Sequence, residues 1–159
     1  MDPDVAVMHE VMEDLRGQLF KAVEPLEDAD INRTYAGLSN TIGILLRHMA
    51  GSEDHWISEV VGGEPVERNR DAEFGHERLI KADLLAALRK RQAATEKVLA
   101  GMRSEDLRAA VTAGRGRGAV ETTKGFAILH AIQHLAFHLG QIRLMAAMAR
   151  GDHGGAGKA

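Results

Sequence analysis

Five of the eight histidines in this 159-residue chain, His48, His55, His130, His134 and His138, fall within two stretches of helical apolar period, and their internal spacings are seven, four and four residues. Those intervals share a helix face, so two helices each present a stripe of imidazoles. On the later stretch, a wheel at 3.6 residues per turn places Ala127, Ala131, His134, His138, Ile142 and Met145 on one arc near the middle of the apolar face. Burying imidazoles there without partners costs about 1–3 kcal/mol for each unsatisfied polar group, so the stripe calls for something that binds them. A divalent metal ion answers that need. Residues four apart are separated by about 6 Å of rise, and their rings can converge on one ion with nitrogens about 2.0–2.1 Å from it. A lone histidine on an apolar face is more often a core residue hydrogen-bonded to a neighbour. An inward His-x-x-x-His pair facing a third inward histidine reverses that preference. One ion cannot take every ring, because His130 to His138 spans about 12 Å along the axis. His130 then reads as a core or rim residue, and His55, about 10 Å along its helix from His48, as a pocket or surface group. His9, His76 and His153 read as ordinary surface residues.

Four stretches of helical period would position these groups, and no run of alternating β-branched residues argues for a sheet, so the expected fold class is all-α. The first carries Val5, Met8, Met12, Leu15, Leu19, Val23 and Leu26 after Asp2-Pro3, a cap followed by a proline suited to the first helical position. The second runs from about Ser39, a candidate cap, through Ile42, Leu45, Leu46, Met49, Trp56 and Val60 to Gly62-Gly63, which suits a helix stop. The third sets Leu84, Leu85, Leu88, Val98, Leu99 and Met102 against a charged outer face. From Thr123, its cap, to about Ala149, the fourth is apolar over most of its circumference, with Gln133, Gly140 and Arg143 marking a narrow wet side. It is expected to lie deepest in the core. Between the second and third stretches, Gly62 to about Leu79 can extend on the order of 55 Å, enough to run the length of a helix of about 30 Å. Four helices with such a crossover predict a four-helix bundle over residues 1–150. A second connection, Arg103 to Thr122, carries no helical period, and the glycine-rich tail 151–159 is expected to be disordered.

The absence of cysteine removes disulfides, zinc fingers, iron–sulfur ligation and a protein thiol nucleophile, so any metal must rest on nitrogen and oxygen. An apolar share of 45%, a charged share of 27% and a net charge of -3 describe an ordinary globule with no electrostatic footprint for nucleic acid or anionic lipid. The start, Met1-Asp2-Pro3-Asp4, has no basic region followed by an apolar run, so a cytoplasmic location is the expectation. Gly114-Arg115-Gly116-Arg117-Gly118 offers two guanidinium groups for an anionic cosubstrate, although a solvated loop is the plainer reading. It lacks the Lys-Ser/Thr ending of a phosphate-cradling loop. Trp56 and the methionines sit at helical spacing and read as core filling.

The segment Leu129-His130-Ala131-Ile132-Gln133-His134-Leu135-Ala136-Phe137-His138-Leu139-Gly140-Gln141-Ile142, with Leu45-Leu46-Arg47-His48-Met49-Ala50-Gly51-Ser52-Glu53, resembles the DinB/YfiT-like superfamily of metal-dependent enzymes. In that superfamily one histidine near the start of helix two and a His-x-x-x-His pair before a Gly-Gln step hold nickel, zinc or a similar ion. The resemblance thus selects His48, His134 and His138 over the pair His130 and His134. It also implies an up-down-down-up bundle, often dimeric. Three imidazoles leave a coordination position open, the catalytic pattern, and such a position suits water or a thiolate. Characterised members include transferases and isomerases that use mycothiol, bacillithiol or glutathione. The expected function is accordingly a thiol-dependent transferase or isomerase acting on a small electrophile, with a low-molecular-weight thiol as cosubstrate. A metal-dependent hydrolase and a non-catalytic metal-binding stress protein are the alternatives. His55 and Gln141 are the candidate catalytic groups, Gln141 because it shares the histidine arc, and Arg115 and Arg117 the candidate cosubstrate groups. Glu53 follows the first histidine closely but falls on another side of the wheel.

Overall fold

The structure, a computed structural model, describes residues 1–114 and 116–151, with Arg117 described by its backbone alone. Helix α1 (Pro3–Val23) starts as the sequence predicts, with Pro3 in its first turn after Asp2. The Asp2 carboxylate does not cap that helix. It accepts a 3.0 Å hydrogen bond from the Ser104 amide and so ties the start of the chain to the segment after α5. A short α2 (Asp28–Ile31) follows, then α3 (Ile42–Glu53). Helix α3 is capped by Thr41, whose hydroxyl accepts from the Ile44 amide, and not by Ser39 two residues earlier. It then continues as a π-helical segment, Asp54–Val61, and stops at Gly62, with Gly63 at φ +74. The crossover that follows contains α4 (Arg70–Glu73), capped by Asn69. Helix α5 (Lys81–Ala100) and helix α6 (Lys124–Arg150) complete the set, and the Thr123 hydroxyl accepts from the Phe126 amide at the start of α6 as predicted.

The chain is mostly helical but not purely so. Strands β1 (Ala110–Ala113) and β2 (Val120–Thr123) form an antiparallel hairpin with Ala110 opposite Thr123 and Ala113 opposite Val120, within the connection that carries no helical period and for which the sequence predicts no sheet. Each strand has four residues, too few to display a period of two against a loop background. The β-branched Val111, Thr112, Val120, Thr122 and Thr123 are the residues that suit this ladder. At the turn Gly114 takes φ +84, where a side chain would be strained, and an added Cβ would in any case meet the Gly118 carbonyl oxygen at 2.9 Å.

Helices α1, α3, α5 and α6 bury apolar residues in two clusters. One includes Leu19, Val23, Leu46, Leu88, Leu139 and Ile142, the other Val5, Met12, Ile57, Leu99, Ala127 and Ile128. Along the helices the clusters are separated by a polar layer: Arg16 lies between Met12 and Leu19, Glu53 between Ala50 and Ile57, Thr95 between Leu88 and Leu99. All three are buried. Helix α6 is not uniformly deep. Ile128, Ala131, Leu135, Leu139 and Ile142 face the core, while Phe126, Leu129, Phe137 and Leu144 are exposed. The expectation that α6, apolar over most of its circumference, lies deepest in the core is therefore corrected, and His134 and His138 lie at the edge of the buried face, half-buried. Among the described residues no helix is long and apolar enough to cross a membrane. Residues 152–159, most of the expected disordered tail, and with them His153, lie outside the described residues.

Candidate metal centre

His48 lies one and a half turns into α3, where burial leaves it 6% exposed, and it faces His134 and His138 on α6. The Nε2 atoms of His134 and His48 are 2.9 Å apart, and those of His138 and His134 are 3.1 Å apart. Ring centroids lie 4.8 Å apart for His48 and His134 and 5.2 Å apart for His48 and His138. The three residues each offer a nitrogen, all within 4.8 Å of one another, so they could hold one metal ion. The structure thus brings together the three histidines that the resemblance selected.

The surrounding acceptors fix which nitrogens face inward. His48 Nδ1 lies 2.8 Å from Glu73 Oε2 and His138 Nδ1 lies 2.7 Å from Gln141 Oε1. A carboxylate and an amide oxygen only accept, so each Nδ1 carries a proton and each Nε2 is the nitrogen turned to the cluster. His134 Nε2 carries at most one proton and can share it with one neighbour, so at least one of the two close nitrogen contacts is left without a hydrogen bond. A cation at that point relieves the conflict, so the donor set fits a metal. Burial lowers the pKa of His134 to about 3, helped by the charges that His138 and His48 would carry. Burial lowers that of His138 as well, against the opposing hydrogen bond to Gln141. Both rings are neutral near pH 7, the form that ligates.

Glu73 sits on α4, 25 residues from His48, and no periodicity or local motif in the sequence connects the two. Burial alone would raise its pKa, but hydrogen bonds from Arg68 and His48 outweigh it and hold the carboxyl below the usual range. Arg68 donates to both carboxylate oxygens, from Nε at 2.6 Å and Nη2 at 2.9 Å. Arg47 on α3 secures the same segment by donating to the carbonyls of Glu73 at 2.8 Å and Gly75 at 2.7 Å and by pairing with Glu77. Helix α4 comes this close because α3 has glycine at position 51. A Cβ there would fall 2.1 Å from Glu73 Oε1. The Phe74 ring, 4.8 Å from that of His48, covers the site on this side.

The other sequence candidates fall elsewhere or play another part. Gln141 does share the histidine arc, and its contact is with the His138 ring. His55 is outside the cluster, its Nδ1 2.7 Å from Glu59 Oε2. Its neighbour Trp56 packs against His130, with centroids 4.2 Å apart. Trp56 therefore lines a cleft besides packing on the core. Glu53 points away from the histidines, as the wheel indicated. It pairs with Arg16 and accepts from the Thr95 hydroxyl at 2.5 Å. Burial raises its pKa, with Arg16 opposing. A cavity of about 10 Å³, lined in part by Arg16, Glu53 and His134, separates this layer from the triad. Arg115 and the Arg117 side chain lie outside the described residues.

Residues 12–142 match the DinB superfamily, and the chain belongs to it. The fold is similar to the crystal structure of a conserved protein from Enterococcus faecalis, with a TM-score of 0.72 at 17% identity over 95% of this chain and 99% of that one. No protein with a curated description matches by sequence.

Proposed function

We propose that this member of the DinB superfamily is a divalent-metal-dependent enzyme that joins the sulfur of a small thiol cosubstrate to an electrophile, or isomerises one through such a thiol. In this reading His48, His134 and His138 hold the ion, nickel or zinc. The observation that carries it is the convergence of three imidazoles whose Nε2 atoms meet while acceptors claim the Nδ1 protons of two of them. A bound divalent ion supplies a Lewis acid that keeps a thiol or a water deprotonated near neutral pH. The chain's own residues orient and hold charge. Glu73 fixes the tautomer of His48 and adds negative charge behind it, Arg68 balances that charge, and Gln141 sets the His138 ring. Because the protein has no cysteine, the sulfur comes from the cosubstrate. We read the long helices α1, α3, α5 and α6 as a four-helix bundle of up-down-down-up order. We further propose that the exposed apolar stripe Leu129, Phe137 and Leu144 on α6 meets a second copy of the chain in a homodimer.

The experiment is to measure metal content after purification, strip it with a chelator, and follow turnover of chlorodinitrobenzene with and without glutathione, bacillithiol or mycothiol. Turnover that needs both metal and thiol is the expected result. Metal-dependent ester hydrolysis without thiol would replace the transferase by a hydrolase. Loss of helicity on chelation, with no turnover in either assay, would assign the ion a structural role.

A further inference from the structure

The seam between α3 with its π-helical extension and α6 does not end at the histidine cluster. Beyond it, towards the hairpin, a cleft of about 320 Å³ opens. The rings of Trp56, His55, His130 and Phe126 line it together with Val120 and Thr122 of β2. The volume lies at the lower end of the range for small-molecule sites. Three rings step along α6 at four-residue intervals: Phe126 and His130 are near-parallel with centroids 6.2 Å apart, and His130 and His134 near-parallel at 6.5 Å. Phe126 is 56% exposed, far more than an aromatic recruited only for packing. Gly114 and Gly118 of the hairpin turn also line it. The π-helical segment Asp54–Val61 is what presents His55 and Trp56, and such segments occur frequently at functional sites.

We propose that this cleft binds a planar aromatic or heteroaromatic group, and that this group is the recognition element of the enzyme's electrophilic substrate. Ring faces and edges favour a flat ring over a flexible chain. His130 is the shared wall, since its ring packs on Trp56 on one side and lies one helical turn from His134 on the other. The His130 ring thus stands between the cleft and the histidine cluster. The role as substrate pocket rests on the metalloenzyme reading, but binding of the ring does not.

Trp56 is the sole tryptophan, so its indole N–H is a single unambiguous reporter in a nitrogen–proton correlation spectrum. The test is to titrate the full chain, metal-free and zinc-loaded, with benzyl alcohol and with cyclohexylmethanol, which carry the same hydroxyl on a flat and a puckered ring. Benzyl alcohol is expected to shift the Trp56 signal saturably in both metal states, with an affinity about 3–10-fold above that of cyclohexylmethanol. Phe126→Leu should erase most of that preference while leaving cyclohexylmethanol unchanged, and Phe126→Ala should weaken both. Because Phe126 is exposed, neither substitution threatens the fold, which circular dichroism would verify. Shifts that never saturate, equal affinities for the two alcohols, or a preference that survives Phe126→Leu would overturn the proposal. Saturable benzyl alcohol binding in a protein that takes up no metal would instead sink the metalloenzyme reading and leave the aromatic site standing.

Discussion

Replacing Glu73 by glutamine tests the support of the metal centre without touching a histidine. The His48 Nδ1 to Glu73 Oε2 contact of 2.8 Å joins side chains that are 8% and 9% exposed, so water screens it little. Outer partners of ligating histidines change metal affinity by about 10–100-fold, which is about 1.4–2.7 kcal/mol. Glutamine keeps an oxygen that accepts from Nδ1, which places Glu73→Gln near the lower figure, about 10-fold. The Arg68 guanidinium, left without its carboxylate beside an intended cation site, pushes the loss upward. Glu73→Ala, which removes the acceptor too, should approach about 100-fold. Gly51→Ala provides an independent route to the same effect, because a Cβ 2.1 Å from Glu73 Oε1 must displace the carboxylate. Gln141→Ala removes a neutral acceptor from the half-exposed His138 and should cost less, about 3-fold. The assay is competition for zinc against a chromophoric chelator at pH 7.5, with circular dichroism to check the fold. Affinities of Glu73→Gln and Glu73→Ala within about 2-fold of the parent would refute the reasoning, since a ligating His48 cannot lose its partner without consequence.

Glu53→Ala removes one of the two carboxylates paired with the buried Arg16, leaving Glu13, and should destabilise the protein by about 1–3 kcal/mol, read as a lower urea midpoint, with a smaller loss for Glu53→Gln; a change below about 0.5 kcal/mol would mean that the layer is not a working ion pair. In metal-free protein the unfolded His134 takes a proton near pH 6.5 and the folded one only near 3, so stability should fall as the pH drops through that window. The slope from this ring is at most about 1.4 kcal/mol per pH unit and less because it is partly solvated; urea midpoints at pH 7 and pH 5 should converge in His134→Ala, and an unchanged slope would remove His134 as the source. Phe137→Lys, on the exposed stripe of α6, should convert a dimer to a monomer in sedimentation without lowering the unfolding temperature of the monomer, and an unaltered sedimentation coefficient would place the interface elsewhere.

The parts of the fold legible in the sequence are those specified locally. Pro3 after Asp2, Thr123 before α6 and Gly62-Gly63 after the π-helical segment each mark an end with a mechanism that needs no tertiary partner. The hairpin and α4 were not legible, because four-residue elements show neither a strand nor a helix period and form against surfaces that other parts of the chain provide. The orientation of α6 was misjudged for a related reason. A helix that is apolar over most of its circumference shows only a narrow wet side, here Gln133, Gly140 and Arg143, so the wheel does not separate Phe126, Leu129, Phe137 and Leu144 from Ile128 and Leu135. The histidine triad escaped that ambiguity only because His48 and the pair on α6 point to each other. Gln141 was within reach, being three residues from His138 on one helix, whereas Glu73 arrives through the crossover and Arg47, neither of which the histidine spacing anticipates.

The placement of the centre follows from how α3 is held. His48 and Glu53 are five residues apart, which turns them to opposite sides of the same helix: His48 faces α4 and α6, and Glu53 faces Arg16 of α1 and Thr95 of α5. Each of these buried polar groups is satisfied by an element other than its own, so rotation of α3 about its axis would break bonds on both faces at once. The apolar clusters above and below add no such direction, since hydrophobic contacts tolerate sliding. A site whose nitrogens must converge within a few tenths of an ångström needs its helices fixed in rotation as well as in distance. The Arg16, Glu53 and Thr95 layer supplies that fixed rotation from behind, and this accounts for a buried ion pair in a core where apolar residues of the same size would otherwise be as stable.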